Sequence, residues 1–443
     1  MDDMQALHDA TAKSPNIRHL EVAAGALAQA PRLIREVFGA QRVILFADEK
    51  SWAAAGAKLE AILAAQGFTI TKHIEKAKPK PKPSVELSKI FAELIVRNDG
   101  LAVAIGSGVM NDVVKHAAFT LSRPYLCVAT AVSMDGYTSA GAPLSEKGFK
   151  KTIQCKPPAA IIADLDVLAA APKAMTSWGY ADLAGKIPAG ADWILADGLG
   201  VEAMDVVSFD MVQAPLRRWL SQPEKIASGD LAAMEGLFAG LAMVGFAMER
   251  HGSSRPASGA DHQIAHLWEM EDHQYQGEAV SHGACVAVGS LASLGLHHYF
   301  LKQNVMALDV EKIIAQAPNF DAKVADIYQQ LGEGEIAKRA IEETRLKHLS
   351  PDAHRARLTR LQDNFASLRD RLLAHLPSLS AFREDLAKAG APKSAQEIGI
   401  DAQKLRQTMY NARFIRSRYT ILDVLEEINL LGPAIDAVVA DIA

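Results

Sequence analysis

The run Leu101-Ala102-Val103-Ala104-Ile105 leads without a break into Gly106-Ser107-Gly108-Val109-Met110-Asn111-Asp112, and residues 113–121 then read as helix. A short apolar run opened and closed by glycine reads as a strand buried on both faces, which a parallel sheet demands. Strand, glycine turn and helix in that order let backbone N–H groups and a helix N-terminus cradle a phosphate. Glycine allows the anion to approach the main chain with no Cβ in the way. A plain tight turn uses the same glycines. The full Gly-x-Gly-x-x-Gly fingerprint is not met either, because Asn111 stands where the third glycine would be.

The surrounding chain has the same alternation. Residues 42–48 form a short apolar run ending in the carboxylate of Asp48, residues 51–66 an alanine-rich helix stopped by Gly67, and residues 68–74 a second strand. Residues 17–41 are expected to be helix leading into the first of these strands. Alternating Lys and Pro over residues 78–84 can form neither helix nor central strand and predict an exposed, extended connector. Residues 85–97 read as helix, 125–129 as strand, and 151–164 as two further strand-like runs around Pro157-Pro158. The polar stretch from Thr130 through Ser133 and Asp135 to Gly141 follows a strand's C-terminal end, where open α/β sheets bind ligands. From Val167 onward the apolar period moves from 2 toward 3.6 and stays there to about residue 427. The fold class expected is therefore an α/β domain over residues 1–165 followed by an all-α domain over residues 166–443.

Within the helical half, His262 and His266 are four apart and share a helix face, and His282 follows after a short connection. Three imidazoles within 21 positions suggest the inner shell of a divalent metal, with a carboxylate expected from elsewhere. A pair of core or surface histidines on one helix is the plainer alternative.

Lys plus Arg is 47 and Asp plus Glu is 52, a net charge of 47 − 52 = −5, which argues against nucleic acid as a partner. Cys127, Cys155 and Cys285 are widely spaced and odd in number, which fits a reducing cytoplasm and not a disulfide framework. Met1-Asp2-Asp3-Met4 lacks the basic and apolar regions of a secretory signal. Residues 231–248 are apolar enough to raise a membrane question. Glu235 and the glycines at 236, 240 and 245 point instead to a buried helix packed closely on its neighbours, with no membrane span. A helical domain this apolar also suggests a homo-oligomer.

Five separated motifs occur in order: Gly106-Ser107-Gly108-x-x-Asn111-Asp112-x-x-Lys115; Thr130-x-x-Ser133-Met134-Asp135-Gly136; Gly179-Tyr180-Ala181-Asp182; Gly252-Ser253-Ser254-Arg255-Pro256-x-x-Gly259-x-Asp261-His262; and Ser281-His282-Gly283. Over roughly residues 20–300 the chain resembles the sn-glycerol-1-phosphate dehydrogenases, within the iron-containing alcohol dehydrogenase and dehydroquinate synthase-like superfamily. The resemblance implies a Rossmann-like N-terminal domain binding NAD(P)H, a helical domain holding one divalent metal, and an active site in the cleft between them.

Carried over by position, the metal ligands are Asp182, His262 and His282, with Ala181 replacing a glycine beside the first. Zinc leads, and nickel and ferrous iron accept the same set. His266 faces the nicotinamide or substrate and relays a proton. Gly106, Ser107, Gly108, Asp112, Thr130 and Ser133 meet the cofactor, with Asp48 accepting from its ribose. Asp135 contacts a substrate hydroxyl, and Lys186 and Arg255 are the nearest cations for the phosphate of dihydroxyacetone phosphate. The metal polarises the carbonyl that receives hydride. A dehydrogenase of glycerol or another unphosphorylated polyol is the first alternative. A dehydroquinate-synthase-like lyase is disfavoured because its turn reads Gly-Gly-Gly-Val-x-Gly-Asp, and a non-catalytic binding protein because the three ligands are intact.

Overall fold

The computed structural model describes residues 3–79, 81–146 and 149–443. Met1 and Asp2 of the N-terminus and Lys80 of the Lys-Pro connector lie outside the described residues. The chain resolves into two compact units, Met1–Leu183 with Ala214–Ser253, and Ala184–Gln213 with Ser254–Ala443.

The first unit is built on a six-stranded sheet. Its strands are β1 (His19–Ala23), β2 (Arg42–Asp48), β3 (Thr69–Glu75), β4 (Leu101–Gly106), β5 (Tyr125–Ala129) and, after a hairpin of β6 (Gly141–Glu146) and β7 (Phe149–Gln154), β8 (Ala160–Asp164). The order is β1-β8-β5-β4-β2-β3, every pairing within it is parallel, and β4 registers Val103 on Leu126 and Gly106 on Ala129. Every residue of β4, β5 and β8 is buried, which is why these strands read as unbroken apolar runs and not as alternation. Leu45, Val103, Ile105, Leu126 and Val128 point one face of the sheet at Leu33, Ile34, Leu59 and Leu63.

Three expectations need correction. Residues 17–41 are not one helix: β1 forms there, then a 3₁₀ turn, then the helix Ala30–Phe38. β1 has little local signal, since it exists by pairing with β8, His19 opposite Ala160. Asp164 fixes that corner, its buried carboxylate accepting the N–H groups of Gly25 and Leu27 at 3.0 Å each. The helix after the glycine turn starts at Gly108 and not at Val113. The polar stretch 130–141 ends in β6, a strand the sequence reading did not resolve.

The compact units also depart from a division at 165/166. The helix Leu231–His251 belongs with the sheet. Its Glu249 accepts from Ser14 and Asn16, each at 2.7 Å, and its Ala242 carbonyl accepts the Thr138 hydroxyl at 2.7 Å. Gly245 is what permits this approach, because a Cβ there would stand 1.9 Å from Thr138 Oγ1. By length and composition this helix and His282–Leu301 are long and apolar enough to cross a membrane. Yet 67% and 89% of their apolar windows are buried inside the protein, as for core helices.

The second unit is helical apart from the short hairpin Gln274–Tyr275 and Glu278–Ala279. Helices Ala260–Met270 and His282–Leu301 cross so closely that a Cβ on Gly289 would meet the Asp261 carbonyl at 2.3 Å. Fully buried Asp192 ties four segments together. It accepts the Ala260 and Ile421 N–H groups, each at 2.7 Å, and lies 3.1 Å from His297 Nε2.

Candidate active site

In the first unit β4 runs through the glycine turn into the helix Gly108–Thr120. Gly106 ends β4 and must be glycine, since a Cβ would lie 2.6 Å from that of Met110. At Gly108 a Cβ would meet nothing nearer than Met134 at 3.8 Å. The side chain of Ser107 makes no capping bond to the helix Gly108–Thr120, whose first closed turn is Asn111 N to Ser107 O at 3.1 Å. The first-turn N–H groups of an α-helix have no partner within the helix, so this end is suited to an anion.

The loop beyond β5 is held against that turn. Thr130 N donates to the Gly106 carbonyl at 3.2 Å, and Thr130 and Ser133 are both buried. Fully buried Lys115 donates to the Gly136 and Gly141 carbonyls at 2.9 Å each and stands 3.4 Å from Asp112. Asp112 therefore pairs with Lys115 in addition to any ligand it meets. Asp48 caps the following helical turn by accepting Ser51 N at 2.7 Å.

Gly179 carries the helix Lys173–Ala184 directly onto this loop, because a Cβ would fall 2.0 Å from the Val132 carbonyl oxygen. Asp182, one turn further, is fully buried and accepts the Asp135 N–H at 3.0 Å. The loop that carries Ser133 and Asp135 is thus locked to the carboxylate expected to bind metal.

In the second unit, His262 and His266 lie on Ala260–Met270, and His282 is the first residue of His282–Leu301, capped by Ser281. The three rings face one another, with centroids 5.3 Å apart for His262–His282, 5.6 Å for His266–His282 and 5.7 Å for His262–His266. His262 Nδ1 is 2.5 Å from Asp261 Oδ2, and His282 Nδ1 is 2.5 Å from Glu269 Oε1. A carboxylate on Nδ1 fixes the tautomer and makes Nε2 the nitrogen a metal would take. The sequence reading missed Asp261 and Glu269 in this role. Their adjacency to the histidines, one residue before His262 and three after His266, was the available signal.

Ligand atoms of His266, Glu269 and His282 also lie within 4.8 Å of one another. His266 is held well below the ordinary histidine value by burial, with His282, His262 and Arg416 adding to it against Glu269.

The family described as iron-containing alcohol dehydrogenase matches residues 21–172. A Geobacillus stearothermophilus protein named glycerol-1-phosphate dehydrogenase [NAD(P)+] is 31% identical over 74% of this chain and 71% of its own. The chain belongs to the glycerol-1-phosphate dehydrogenase family. The protein of that name from Geobacillus thermodenitrificans is 29% identical over 88% of each chain. Among solved structures, the glycerol dehydrogenase of Schizosaccharomyces pombe shares the fold at a TM-score of 0.60 and 14% identity, over 96% of this chain and 91% of that one.

In this member of the glycerol-1-phosphate dehydrogenase family, the two cations expected to hold phosphate are deep in the second unit. Arg255, 1% exposed, donates to the Tyr419 carbonyl at 3.2 Å and the Asp192 carbonyl at 3.0 Å, and pairs with Glu202 at 3.2 Å. Those contacts take up the guanidinium from three sides. Lys186, also fully buried, opens the helix Lys186–Gly198, and its carbonyl accepts from Gln213 at 2.8 Å.

Proposed function

We propose that the protein interconverts dihydroxyacetone phosphate and sn-glycerol 1-phosphate by hydride transfer with NAD(P)H. The observation that carries the reading is the pair His262 and His282, each with Nδ1 held at 2.5 Å by its own carboxylate and the two rings 5.3 Å apart. That donor set fits a borderline divalent cation, and Asp182 with His262 and His282 would hold it, zinc, nickel and ferrous iron being the candidates. When bound, the ion supplies Lewis-acid polarisation of the substrate carbonyl, and the nicotinamide supplies the hydride.

The chain's own residues do the rest. The open N-terminus of Gly108–Thr120, with Gly106, Ser107 and Gly108, receives the cofactor pyrophosphate, and Asp112 holds Lys115 behind it. Asp48, with one oxygen on Ser51, offers the other to the ribose. Thr130 and Ser133 would meet the cofactor from the loop after β5, and Asp135 would take a substrate hydroxyl. His266, facing both His262 and His282, passes the proton to the new hydroxyl.

A dehydrogenase of unphosphorylated polyols is the second reading, favoured by the engagement of Arg255 elsewhere. We also read the chain as a cytoplasmic homo-oligomer with no nucleic-acid partner. Its three cysteines are all buried and unbridged, as a reducing compartment allows. Metal analysis combined with NADH and NADPH oxidation separates the readings. Turnover of dihydroxyacetone phosphate well above dihydroxyacetone is expected, and equal turnover of the two would replace the first reading with the second.

A further inference from the structure

We propose that His266, Glu269 and His282 form a second divalent-cation site, filled when metal is in excess, at which the ion inhibits the enzyme. The inhibition, though not the site, rests on the reaction proposed above.

Ligand atoms of these three residues lie within 4.8 Å of one another, as do those of Asp182, His262 and His282. The two sets share His282. His266 and Glu269 are three apart on Ala260–Met270 and so project from one face of that helix. His282 opens the next helix, which Gly289 allows to pack directly against Asp261 at the start of the first. Donors carried on two packed helices are held more precisely than donors on loops.

The spacing suits an ion. Two imidazoles bound at about 2.0–2.1 Å to one four-coordinate metal have ring centroids roughly 5–6 Å apart. The rings of His266 and His282 are separated by 5.6 Å. Glu269 Oε1 stands 2.5 Å from His282 Nδ1, and its side chain is only 9% exposed, so the anionic donor is already in place with little water around it. Two imidazole nitrogens and one carboxylate oxygen are donors that zinc and nickel accept.

His282 has two ring nitrogens, and Glu269 marks which of them serves the second site. With the carboxylate at Nδ1, that nitrogen faces the second ion and Nε2 the first, so one ring bridges both and its proton passes to solvent. Because a proton must leave, the second ion binds more weakly than the first and needs excess metal. Its effect on the reaction follows from what it occupies. A neutral imidazole has one lone pair, and an ion that takes it from His266 leaves the ring unable to accept a proton.

The test counts ions by equilibrium dialysis of the full chain against excess Zn2+. The wild type should hold two per chain, and His266→Ala and Glu269→Gln one each. A wild type that stops at one, or variants that keep two, overturns the site. Glu269→Gln keeps the side-chain shape and decides the question if the alanine variant does not fold. Turnover of the wild type should fall as the second ion binds and return on dialysis against Zn2+ buffered to one equivalent. An undiminished rate with both ions bound overturns the inhibition. Should the wild type reduce neither dihydroxyacetone phosphate nor dihydroxyacetone, the proposed reaction falls while the ion count still decides the site.

Discussion

Asp261 Oδ2 stands 2.5 Å from Nδ1 of His262, while Oδ1 of the same buried carboxylate accepts the Gly259 N–H at 2.8 Å. A residue of the helix's first turn therefore also sets the orientation of the first histidine on it. Replacing Asp261 with Asn keeps the shape and removes the charge that raises the basicity of the ring. Metal affinity should weaken about 10- to 100-fold, the range for lost partners of ligating histidines, with little change in helix content. Chelator competition measures it, and an unchanged affinity would leave Asp261 a helix-capping residue only.

His282 is tested more bluntly. His282→Ala should abolish both bound metal and turnover, since the ring supplies a ligand and Glu269 is left facing a vacancy. Stoichiometric metal in the purified variant would sink the ligand assignment.

Gly179→Ala probes the contact between the helix Lys173–Ala184 and the Val132 backbone. A methyl group 2.0 Å from a carbonyl oxygen cannot be absorbed by a side-chain rotation, so backbone must move. Destabilisation of about 1–3 kcal/mol is expected from overpacking. Because the displaced loop carries Thr130, Ser133 and Asp135, the KM for the nicotinamide cofactor should rise as well. Urea unfolding and cofactor titration would show both, and a variant normal in each would mean the helix sits further from the loop than described.

Arg255→Ala separates a structural cation from a substrate-binding one. It leaves the Tyr419 carbonyl without that donor, at about 1–3 kcal/mol, and takes a second bond from the Asp192 carbonyl, which keeps its place in the helix. A lower melting temperature with an unchanged KM for dihydroxyacetone phosphate is the expected pattern. A raised KM at normal stability would return the phosphate to Arg255.

Two neighbouring glutamates predict opposite responses to pH. Burial works against the Glu426 carboxylate, yet Arg413, Lys323 and Lys347 take it from the ordinary 4.5 to about 2. Its contribution is present above pH 4.5 and disappears as pH falls toward 2. Burial pushes Glu427 the other way, to about 7, against Arg357 and the Tyr419 hydroxyl. The folded chain then holds a proton that the unfolded chain releases near 4.5, so this contribution is complete below 4.5 and is lost as pH rises toward 7. Glu427→Gln should flatten the decline between pH 4.5 and 7 and leave the acid limb alone. Melting temperatures across pH 3–8 would check it, and an identical decline in the variant would assign it to other groups.

How much of this was legible beforehand depended on whether the cause was local. β2, β4 and β5 announce themselves because strands buried on both faces must be apolar throughout. β1 did not, because His19–Ala23 becomes a strand only by pairing with a segment more than 130 residues later. The helix Leu231–His251 was read correctly as buried, but its place beside the sheet depends on Gly245 meeting Thr138. Among site residues, the three histidines were visible as spacing. Asp261 and Glu269 were visible only as charged neighbours until the rings turned toward them.

The sequence by itself determined the elements and the donor chemistry: period, glycine placement and residue type are properties of short segments. Tertiary structure decided which cations are already engaged. Arg255 looked available because it sits in a motif, and long-range contacts with Asp192, Glu202 and Tyr419 took it up. A charge is free or compensated according to what surrounds it in space, and no window of sequence contains that information.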